Sequence, residues 1–300
     1  MLKEINPENI EPKLDINKFE AILPKICSRE TSTDPEGWSE DNPLQDHCAV
    51  ATLVANKLYG GTILRASLEG TPYAKSRSHY INRFSFGDKD FTAPQFKQGY
   101  PEGLFYEERT RQYLVSNSGT LSRYTQLTLN LAEYLEGENP LLKDSLYKRC
   151  IAHALVSPCQ KMGFGAVLTK NGQIVAEAHN DTIEELAYLC DPKCIRLEIK
   201  SRTESMLGAC GHAEELVMKI ARDNGIPLKE CDLYVAGVKA NGLPWIKKQP
   251  EHTCLRCCVQ MYYAGLKSIN VPVKDRWESL TPQEALRTAA KYATQEKQVS

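Results

Sequence analysis

Two stretches decide the fold of this chain: Cys210-Gly211-His212-Ala213-Glu214 and Cys254-Leu255-Arg256-Cys257. Each opens a predicted helix, and residues 233–238 between them have a strand-like pattern. Right-handed crossovers would place both helices on one face of a sheet, with their N-termini side by side. The pattern therefore predicts a layered α/β domain in which one imidazole and two thiolates meet.

One imidazole and two thiolates suit Zn2+, because three protein ligands leave the fourth tetrahedral position open for water. Helix N-termini also favour ionised cysteine, since their unpaired N–H groups act as a partial positive charge. Glu214 follows His212 by two residues, a spacing that suits a proton carrier better than a further ligand on the same helical face. The sequence therefore predicts a catalytic zinc site formed by His212, Cys254 and Cys257.

His-x-Glu together with Cys-x-x-Cys matches the zinc deaminase signature, in which the glutamate acts as acid and base. Zinc-bound hydroxide is predicted to attack an amino-bearing ring carbon. Glu214 would carry the proton to the ring nitrogen and then to the departing ammonia. The predicted chemistry is hydrolytic deamination. A structural zinc knuckle, a redox pair of cysteines and a packed histidine are the alternatives for the same residues.

The composition narrows the class of protein. The 300 residues carry a net charge of −1 at pH 7, so no overall positive field recruits nucleic acid, and a nucleic-acid partner is not favoured. Residues 1–10 lack the apolar core of a signal peptide, and no apolar run approaches membrane-spanning length. Eleven cysteines, nine of them between Cys150 and Cys258, are typical of a metal-binding domain in a reducing compartment. We expect a cytoplasmic protein without a membrane segment.

A second group of candidate catalytic residues lies in the N-terminal part of the chain. Residues 45–55 are apolar at helical spacing, and two strand patterns are followed by a third short strand around Asp90. Cys48 at a helix start, then His79 and Asp90 on strands, is the chain order of papain-like cysteine hydrolases. In such hydrolases the N-terminus of the helix and the histidine stabilise the cysteine as a thiolate, and the acidic residue orients the imidazole. The alternatives are a buried Cys48 with a packed His79, or a domain that gates substrate or binds a partner.

Several motifs accompany these three residues. They are Trp38, Asn42-Pro43, His47-Cys48-Ala49-Val50, Gly60-Gly61, Ser78-His79-Tyr80-Ile81-Asn82-Arg83 and Asp90-Phe91-Thr92. In these motifs the chain resembles the YunG-like family, over residues 30–134. The resemblance implies no particular activity. We expect an α+β domain over residues 1–137, with a papain-like arrangement if Cys48, His79 and Asp90 act together.

A domain boundary is predicted at residues 136–140, which follow an amphipathic helix over residues 119–134 and contain Gly137. The second domain therefore covers residues 138–300. It opens with a helix over residues 141–155, and its remaining elements follow the order β-β-α-β-α-β. The predicted strands are 163–168, 173–178, 233–238 and 264–269.

The second domain carries a further series of motifs in a fixed order. They are Gly165-Ala166-Val167-Leu168, Asn180, His212-Ala213-Glu214, Cys254 with Cys257, and Ala264-Gly265-Leu266. In these motifs residues 141–273 resemble the cytidine and deoxycytidylate deaminase superfamily. The resemblance implies a three-layer α-β-α domain with a mixed sheet, zinc on the two cysteines and the histidine, and Glu214 as the catalytic residue. It also implies a cytosine-type nucleoside or nucleotide as small-molecule substrate, and a homo-oligomer.

The resemblance extends to substrate contacts. Asn180 is expected to contact a ribose hydroxyl or the base, and Ala213 to present a backbone group to the base edge. Trp245 lies in the loop before the second metal helix, where its ring would stack on a base or pack at the rim. A purine, pteridine or modified base, free or in nucleic acid, is the alternative substrate. A scaffold in which zinc only holds the fold is the alternative function.

A second metal group is predicted just before the first. Cys190 and Cys194 flank a Pro-Lys turn, and Cys210 precedes the metal-binding histidine, so these thiols would bind a structural zinc ion. The candidates for its fourth ligand are Cys150, Cys159 and His179. The alternative is a set of reduced cysteines packed near the core.

Overall fold

The computed structural model describes residues 14–191, 193–199, 208–246 and 254–295. The chain divides into two compact units, Met1–Glu138 and Asn139–Ser300. No helix within the described stretches is both long enough and apolar enough to cross a bilayer.

The first unit combines an antiparallel sheet with helices. Its elements in chain order are α1 Ile16–Ile26, α2 Cys48–Tyr59, β1 Thr62–Ser67, β2 Ser78–Phe84, β3 Gly87–Lys89, β4 Tyr106–Arg109, α3 Arg111–Val115 and α4 Ser118–Glu136. The strands pair antiparallel in the order β3-β2-β1-β4. Helix α2 is buried along most of its length because it packs against both β2 and α4, and it ends where Gly60 takes a φ of 79°. The predicted α+β class is confirmed for this unit.

Asp90 lies outside the strands, so its predicted position on a third strand was wrong. Strand β3 ends at Lys89, and Asp90 Oδ1 accepts hydrogen bonds from the backbone N–H and the hydroxyl of Thr92, at 2.8 and 3.0 Å. Such a bond between an aspartate and the N–H two residues on makes a local turn that leaves the strand ladder. Asp90 is therefore held by a turn at the end of the sheet.

The second unit is built around one mixed sheet. Its first elements are α5 Ser145–Val156, β5 Met162–Lys170, β6 Gln173–His179, β7 Asp181–Thr182, β8 Cys210–Gly211, α6 Ala213–Asp223 and β9 Cys231–Lys239. They are followed by β10 Pro244–Trp245, α7 Leu255–Ala264, β11 Ser268–Val273, β12 Arg276–Leu280 and α8 Pro282–Gln295. The main sheet has the order β12-β11-β9-β5-β6, with β10 paired to β9 and only β9 and β11 parallel among these described pairs. The predicted mixed sheet is confirmed.

Helices cover both faces of this sheet. Successive side chains of a strand point to opposite faces, and on β5 the residues Gly163 and Gly165 face α5. A β-carbon at either glycine would overlap the carbonyl oxygen of Ala154 or Cys150, so glycine lets α5 lie directly on the strand. The alternate residues Ala166 and Leu168 enter the apolar core on the other face. That core also contains buried residues of α6 and α7, which are Ala213, Val217, Met218, Ala221, Cys257, Cys258 and Met261.

Two predicted elements of the second unit begin four residues later in the structure than in the prediction. Helix α5 begins only at Ser145, because the Asp144 carboxylate accepts the Tyr147 N–H at 2.8 Å and caps the helix there. Residues Pro140–Lys143 form a separate 3-10 turn. The last predicted strand begins at Ser268, because Gly265 takes a left-handed φ of 68° and ends α7.

Candidate active site

Three metal-binding side chains meet at the N-termini of α6 and α7. His212 is the N-cap of α6, Cys254 is the N-cap of α7, and Cys257 lies in its first turn. Nδ1 of His212 lies 3.4 Å from Sγ of Cys254 and 3.2 Å from Sγ of Cys257, and the two sulfurs are 3.4 Å apart. Zinc bond lengths give tetrahedron edges of about 3.6 Å between N and S and about 3.8 Å between two S atoms. The donors therefore need to separate by only a few tenths of an ångström to hold zinc.

The three donors stand out from every other acidic, histidine and cysteine side chain that the structure describes. Among those residues, they are the one group of three or more whose ligand atoms all lie within 4.8 Å of one another. Two thiols and an imidazole are ligands that zinc prefers. The residues present therefore fit a zinc ion.

The electrostatics of the donors favour a cation. The hydrogen bond between Cys254 and Cys257, together with His212, lowers the pKa of Cys254 to about 4. The same hydrogen bond and burial raise the pKa of Cys257, and the bond to Cys254 raises that of His212. The lowered pKa of Cys254 favours an anionic sulfur, and a coordinated thiol is deprotonated by the metal itself.

Glu214 is buried beside the donors. It follows His212 in the first turn of α6 and is 6% exposed. Burial raises the pKa of Glu214, and the charge of His212 opposes that shift. A carboxyl group whose pKa is raised can both accept and return a proton near neutral pH. The position and environment of Glu214 suit the proton transfer predicted for it.

Glu215 holds the two metal-bearing helix ends together, a role that was not predicted. Its carboxylate accepts the backbone N–H of His212 at 3.1 Å. It also accepts Nε and Nη2 of Arg256 at 2.6 and 2.7 Å, and Nε2 of Gln260 at 2.6 Å. Glu215 thus connects the N-terminus of α6 to two residues of α7. A sequence signal exists, because an acid three residues after an N-cap is typical of a capping box.

Asn180 hydrogen-bonds to the backbone of β5. Its Oδ1 accepts the Phe164 N–H at 2.6 Å, and its Nδ2 donates to the Met162 carbonyl at 3.1 Å. One amide hydrogen and one lone pair remain after these bonds. The substrate contact predicted for Asn180 therefore stays a prediction, and the residue has a structural role besides.

The other two residues predicted to contact the substrate are Ala213 and Trp245. Ala213 is fully buried as the first residue of α6. Trp245 lies on β10, where it pairs with Gly237 of β9, and its ring meets that of Phe164 edge-on with centroids 5.9 Å apart. Phe164 is therefore in contact with both Trp245 and Asn180. Roles for Ala213 and Trp245 in binding a base stay predictions.

The second predicted metal group is brought together around Gln160. The Gln160 side chain donates to the Cys190 carbonyl at 2.7 Å and accepts the Cys194 N–H at 3.0 Å. Cys210 pairs across β7 and β8 with Thr182, whose hydroxyl lies 3.9 Å from Sγ of Cys190. Burial, together with the nearby thiols of Cys159, Cys190 and Cys194, raises the pKa of Cys210 to about 11.

Cys159 is the best placed of the three candidates for a fourth ligand. It precedes Gln160 and interacts with the thiols of Cys190 and Cys210. Cys150 instead donates from Sγ to the Tyr234 carbonyl at 3.5 Å, and His179 stacks on His153 with centroids 6.2 Å apart. The four sulfurs are less closely gathered than the donors of the first site. A metal ion at this cluster stays a prediction.

The candidate residues of the first unit also lie together. Cys48 is the first residue of α2, and Nε2 of His79 on β2 lies 2.7 Å from Oδ2 of Asp90. His79 is fully buried and Cys48 is 8% exposed. The structure therefore brings Cys48, His79 and Asp90 into one group, although Asp90 comes from a turn.

Comparisons with known proteins found a matching family model for each unit. Residues 142–272 match the family model described as cytidine and deoxycytidylate deaminase zinc-binding region. Residues 15–136 match the model described as YunG protein. A crystal structure of a mutant cytidine deaminase from Mycobacterium tuberculosis is similar at 13% identity and a TM-score of 0.28, covering 45% of this chain and 87% of that one. A comparison with curated proteins gave no match.

Both resemblances noted in the sequence are thereby confirmed, and so is zinc as the cofactor that the second unit is built to hold. The chain thus joins a segment that matches the YunG protein model to a segment that matches the model of the cytidine and deoxycytidylate deaminase zinc-binding region.

Proposed function

We propose that the second unit removes ammonia hydrolytically from a cytosine-type nucleoside or nucleotide. The observation that carries the proposal is the buried carboxyl group of Glu214, next to two thiols and an imidazole that suit zinc. A site that used zinc only to hold the fold would have no need of a buried acid with a raised pKa beside the donors.

The protein residues divide the work of the reaction. His212, Cys254 and Cys257 would hold the ion, which supplies a water molecule whose pKa is lowered towards neutrality. Glu214 would accept a proton from that water and pass it to the ring nitrogen. It would then take the remaining proton from the hydroxyl group added to the ring carbon and give it to the amino group, so that the C–N bond breaks, ammonia leaves and the ring carbon keeps the water's oxygen as a carbonyl. Glu215 would keep both helix ends in register during these steps.

Two observations favour a free small molecule of the cytosine type. The matched family description names cytidine and deoxycytidylate. The net charge of −1 offers no general attraction for a polynucleotide. A purine, pteridine or modified base, free or in nucleic acid, remains the alternative substrate. A homo-oligomeric assembly and a cytoplasmic location stay predictions.

The test replaces Glu214 by glutamine, which keeps the shape but removes the proton carrier. Zinc content should stay at the wild-type level, while ammonia release from cytidine, deoxycytidine or deoxycytidylate falls about 10²- to 10⁴-fold. Glu230→Gln is the matched control, because that carboxylate is 56% exposed and pairs with Lys170. Full activity in Glu214→Gln with zinc retained would rule out this role.

A substrate panel separates the alternatives. It contains the three cytosine compounds, adenosine, guanine, a pterin, single-stranded DNA and transfer RNA. Release from a polymer that falls steeply as salt is raised would identify a nucleic-acid substrate. A wild-type protein that holds zinc but releases no ammonia from any of them would support a scaffold and contradict the proposal.

A further inference from the structure

We propose that Cys48, His79 and Asp90 form a second catalytic centre, an acyl-transfer site in which Cys48 is the nucleophile. The site lies wholly within the first unit, so the proposal does not depend on deaminase activity. Its substrates would be carbonyl compounds with a displaceable group, namely thioesters, esters or amides.

The histidine is placed between the acid and the thiol. Nε2 of His79 bonds Asp90 Oδ2 at 2.7 Å. Nδ1 of the same ring is buried, and no group in the described chain makes a hydrogen bond of ordinary geometry with it. The Cys48 thiol is close enough to interact with the ring and at present donates to the Ser78 carbonyl at 3.7 Å. A small movement of Sγ would direct it at Nδ1, the geometry of a nucleophile with its base.

The surroundings favour an imidazolium beside the sulfur. Burial works against the charged ring, but the bond to Asp90 and the contact with Cys48 outweigh it and raise the pKa of His79 to about 9. Cys48 also begins a helix of 12 residues, whose N-terminal N–H groups carry partial positive charge. The N-cap His47 provides no side-chain hydrogen bond to those groups. They remain able to stabilise an anionic sulfur, and later an oxyanion.

A chain of hydrogen bonds connects the acid back to the turn that precedes the nucleophile. Asp90 accepts from Thr92, and the Thr92 hydroxyl accepts Nε2 of Gln95 at 2.9 Å. Oε1 of Gln95 accepts the backbone N–H of Asp46 at 3.2 Å. Asp46 takes a φ of 59°, in the left-handed region that non-glycine residues seldom adopt. Strain of this kind is typical of functional sites, and here it is held by the same network that fixes Asp90.

If Cys48 were only a small packed side chain, neither the hydrogen bond between His79 and Asp90 nor the network that leads to Asp46 would be needed. Cys27 shows the difference, because it is a buried cysteine of the same unit whose pKa is raised by burial alone. Burying an imidazolium and a carboxylate together costs free energy that a packing role would not offset. The polar network around Cys48 therefore indicates chemistry.

The proposed reaction balances without any further reagent than water. The thiolate of Cys48 attacks the carbonyl carbon, and His79 donates its proton to the leaving group as the carbon–heteroatom bond breaks. His79 then removes a proton from water, which attacks the acyl-enzyme and releases the carboxylic acid. Cys48 leaves as the thiolate and His79 is again protonated.

The first test measures how the alkylation rate of Cys48 by iodoacetamide depends on pH. An ordinary thiol with a pKa of about 8.5 speeds up about tenfold per pH unit below that value, whereas a preformed ion pair reacts at a nearly constant rate. Among the residues that the structure describes, the titratable side chains Tyr80, Tyr100 and Tyr106 interact with this group, besides Asp90. Burial raises the pKa of each tyrosine, so they stay neutral between about pH 5.5 and 8.

In wild type we expect the rate at Cys48, located by peptide mass spectrometry, to change less than about threefold over that range. His79→Asn should restore the tenfold slope, and Asp90→Asn should give an intermediate slope. Cys27 is the reference thiol, and Cys27→Ser should leave the profile at Cys48 unchanged. An ordinary slope in the wild-type protein would overturn the proposal, as would labelling of Cys48 only after denaturation.

The second test detects the acyl-enzyme directly. Incubation with 4-nitrophenyl acetate should release nitrophenol in a burst and add an acetyl group to Cys48. His79→Asn should abolish the burst, while Cys27→Ser should leave it unchanged because Cys48, His79 and Asp90 are all retained. Acetylation spread over other nucleophiles, with none on Cys48, would refute the nucleophile assigned here.

Discussion

Replacing Glu215 by glutamine tests whether this residue holds the two metal-bearing helix ends together. The substitution keeps the size of the side chain but removes its charge and turns one acceptor into a donor. Four hydrogen bonds converge on the carboxylate, from His212 N–H, from two nitrogens of Arg256 and from Gln260. Glutamine can accept some of these but must direct its own N–H groups at another donor.

The expected loss follows from these bonds. A hydrogen bond to a charged group contributes about 1.5–3 kcal/mol, and the helix cap adds about 1 kcal/mol. The Arg256 side chain is 44% exposed, so solvent screening reduces its part. We therefore expect a total loss of about 2–3 kcal/mol, which corresponds to about 30- to 160-fold weaker zinc binding if it all reaches the donors. Loss of a partner that orients metal ligands has a similar effect on affinity, about 10- to 100-fold.

The assay is competition for zinc against a chelator of known affinity, together with the thermal midpoint of the zinc-loaded protein. Lys219→Ala is the control on the same helix, because its exposed pair with Asp223 contributes only about 0.5 kcal/mol. A zinc dissociation constant for Glu215→Gln within about twofold of wild type would refute the positioning role.

Two further predictions concern other parts of the second unit. Cys190→Ser should lower the zinc content from two ions per chain to one, whereas the control Cys231→Ser should leave it at two. A single zinc ion in the wild-type protein would contradict a metal at the second cysteine group. Glu177 is partly buried, which opposes ionisation, but its bonds to Arg149 and His153 lower its pKa to about 2. A lowered folded-state pKa gives stability that is present above the unfolded value of 4.5 and is lost as the pH falls towards 2. The free energy of unfolding of the wild type, measured with urea, should therefore fall as the pH is lowered through that range. In Glu177→Gln it should depend less steeply on pH.

The grouping of the three candidate zinc ligands could be predicted from the sequence because the motifs that hold them are local. His212 and Glu214 are two residues apart, and Cys254 and Cys257 are one helical turn apart. The alternation of strand and helix patterns then brings the two motifs to one edge of a sheet. The same reasoning placed Cys48 at a helix start and His79 on a strand.

The contacts between distant segments could not be predicted. Glu215 and Arg256 are 41 residues apart in the chain, and their pairing depends on how α6 and α7 pack. Cys159 is brought to the other thiols by the side chain of its neighbour Gln160, which no spacing rule describes. The turn at Asp90 could not be predicted either, because it depends on the Asp90 side chain accepting the N–H of Thr92, which a strand-like sequence pattern does not reveal.

The bonds of Asn180 to β5 have a consequence for which residues this position accepts. An amide group carries a donor and an acceptor side by side, as a peptide unit does, and here it continues the pairing between β6 and β5 beyond the end of the backbone ladder. Aspartate would set a negative oxygen against the Met162 carbonyl, and leucine would leave both backbone groups without a partner. The hairpin of β5 and β6 is thus extended by two hydrogen bonds from one side chain, and only a carboxamide at this position can make both of them.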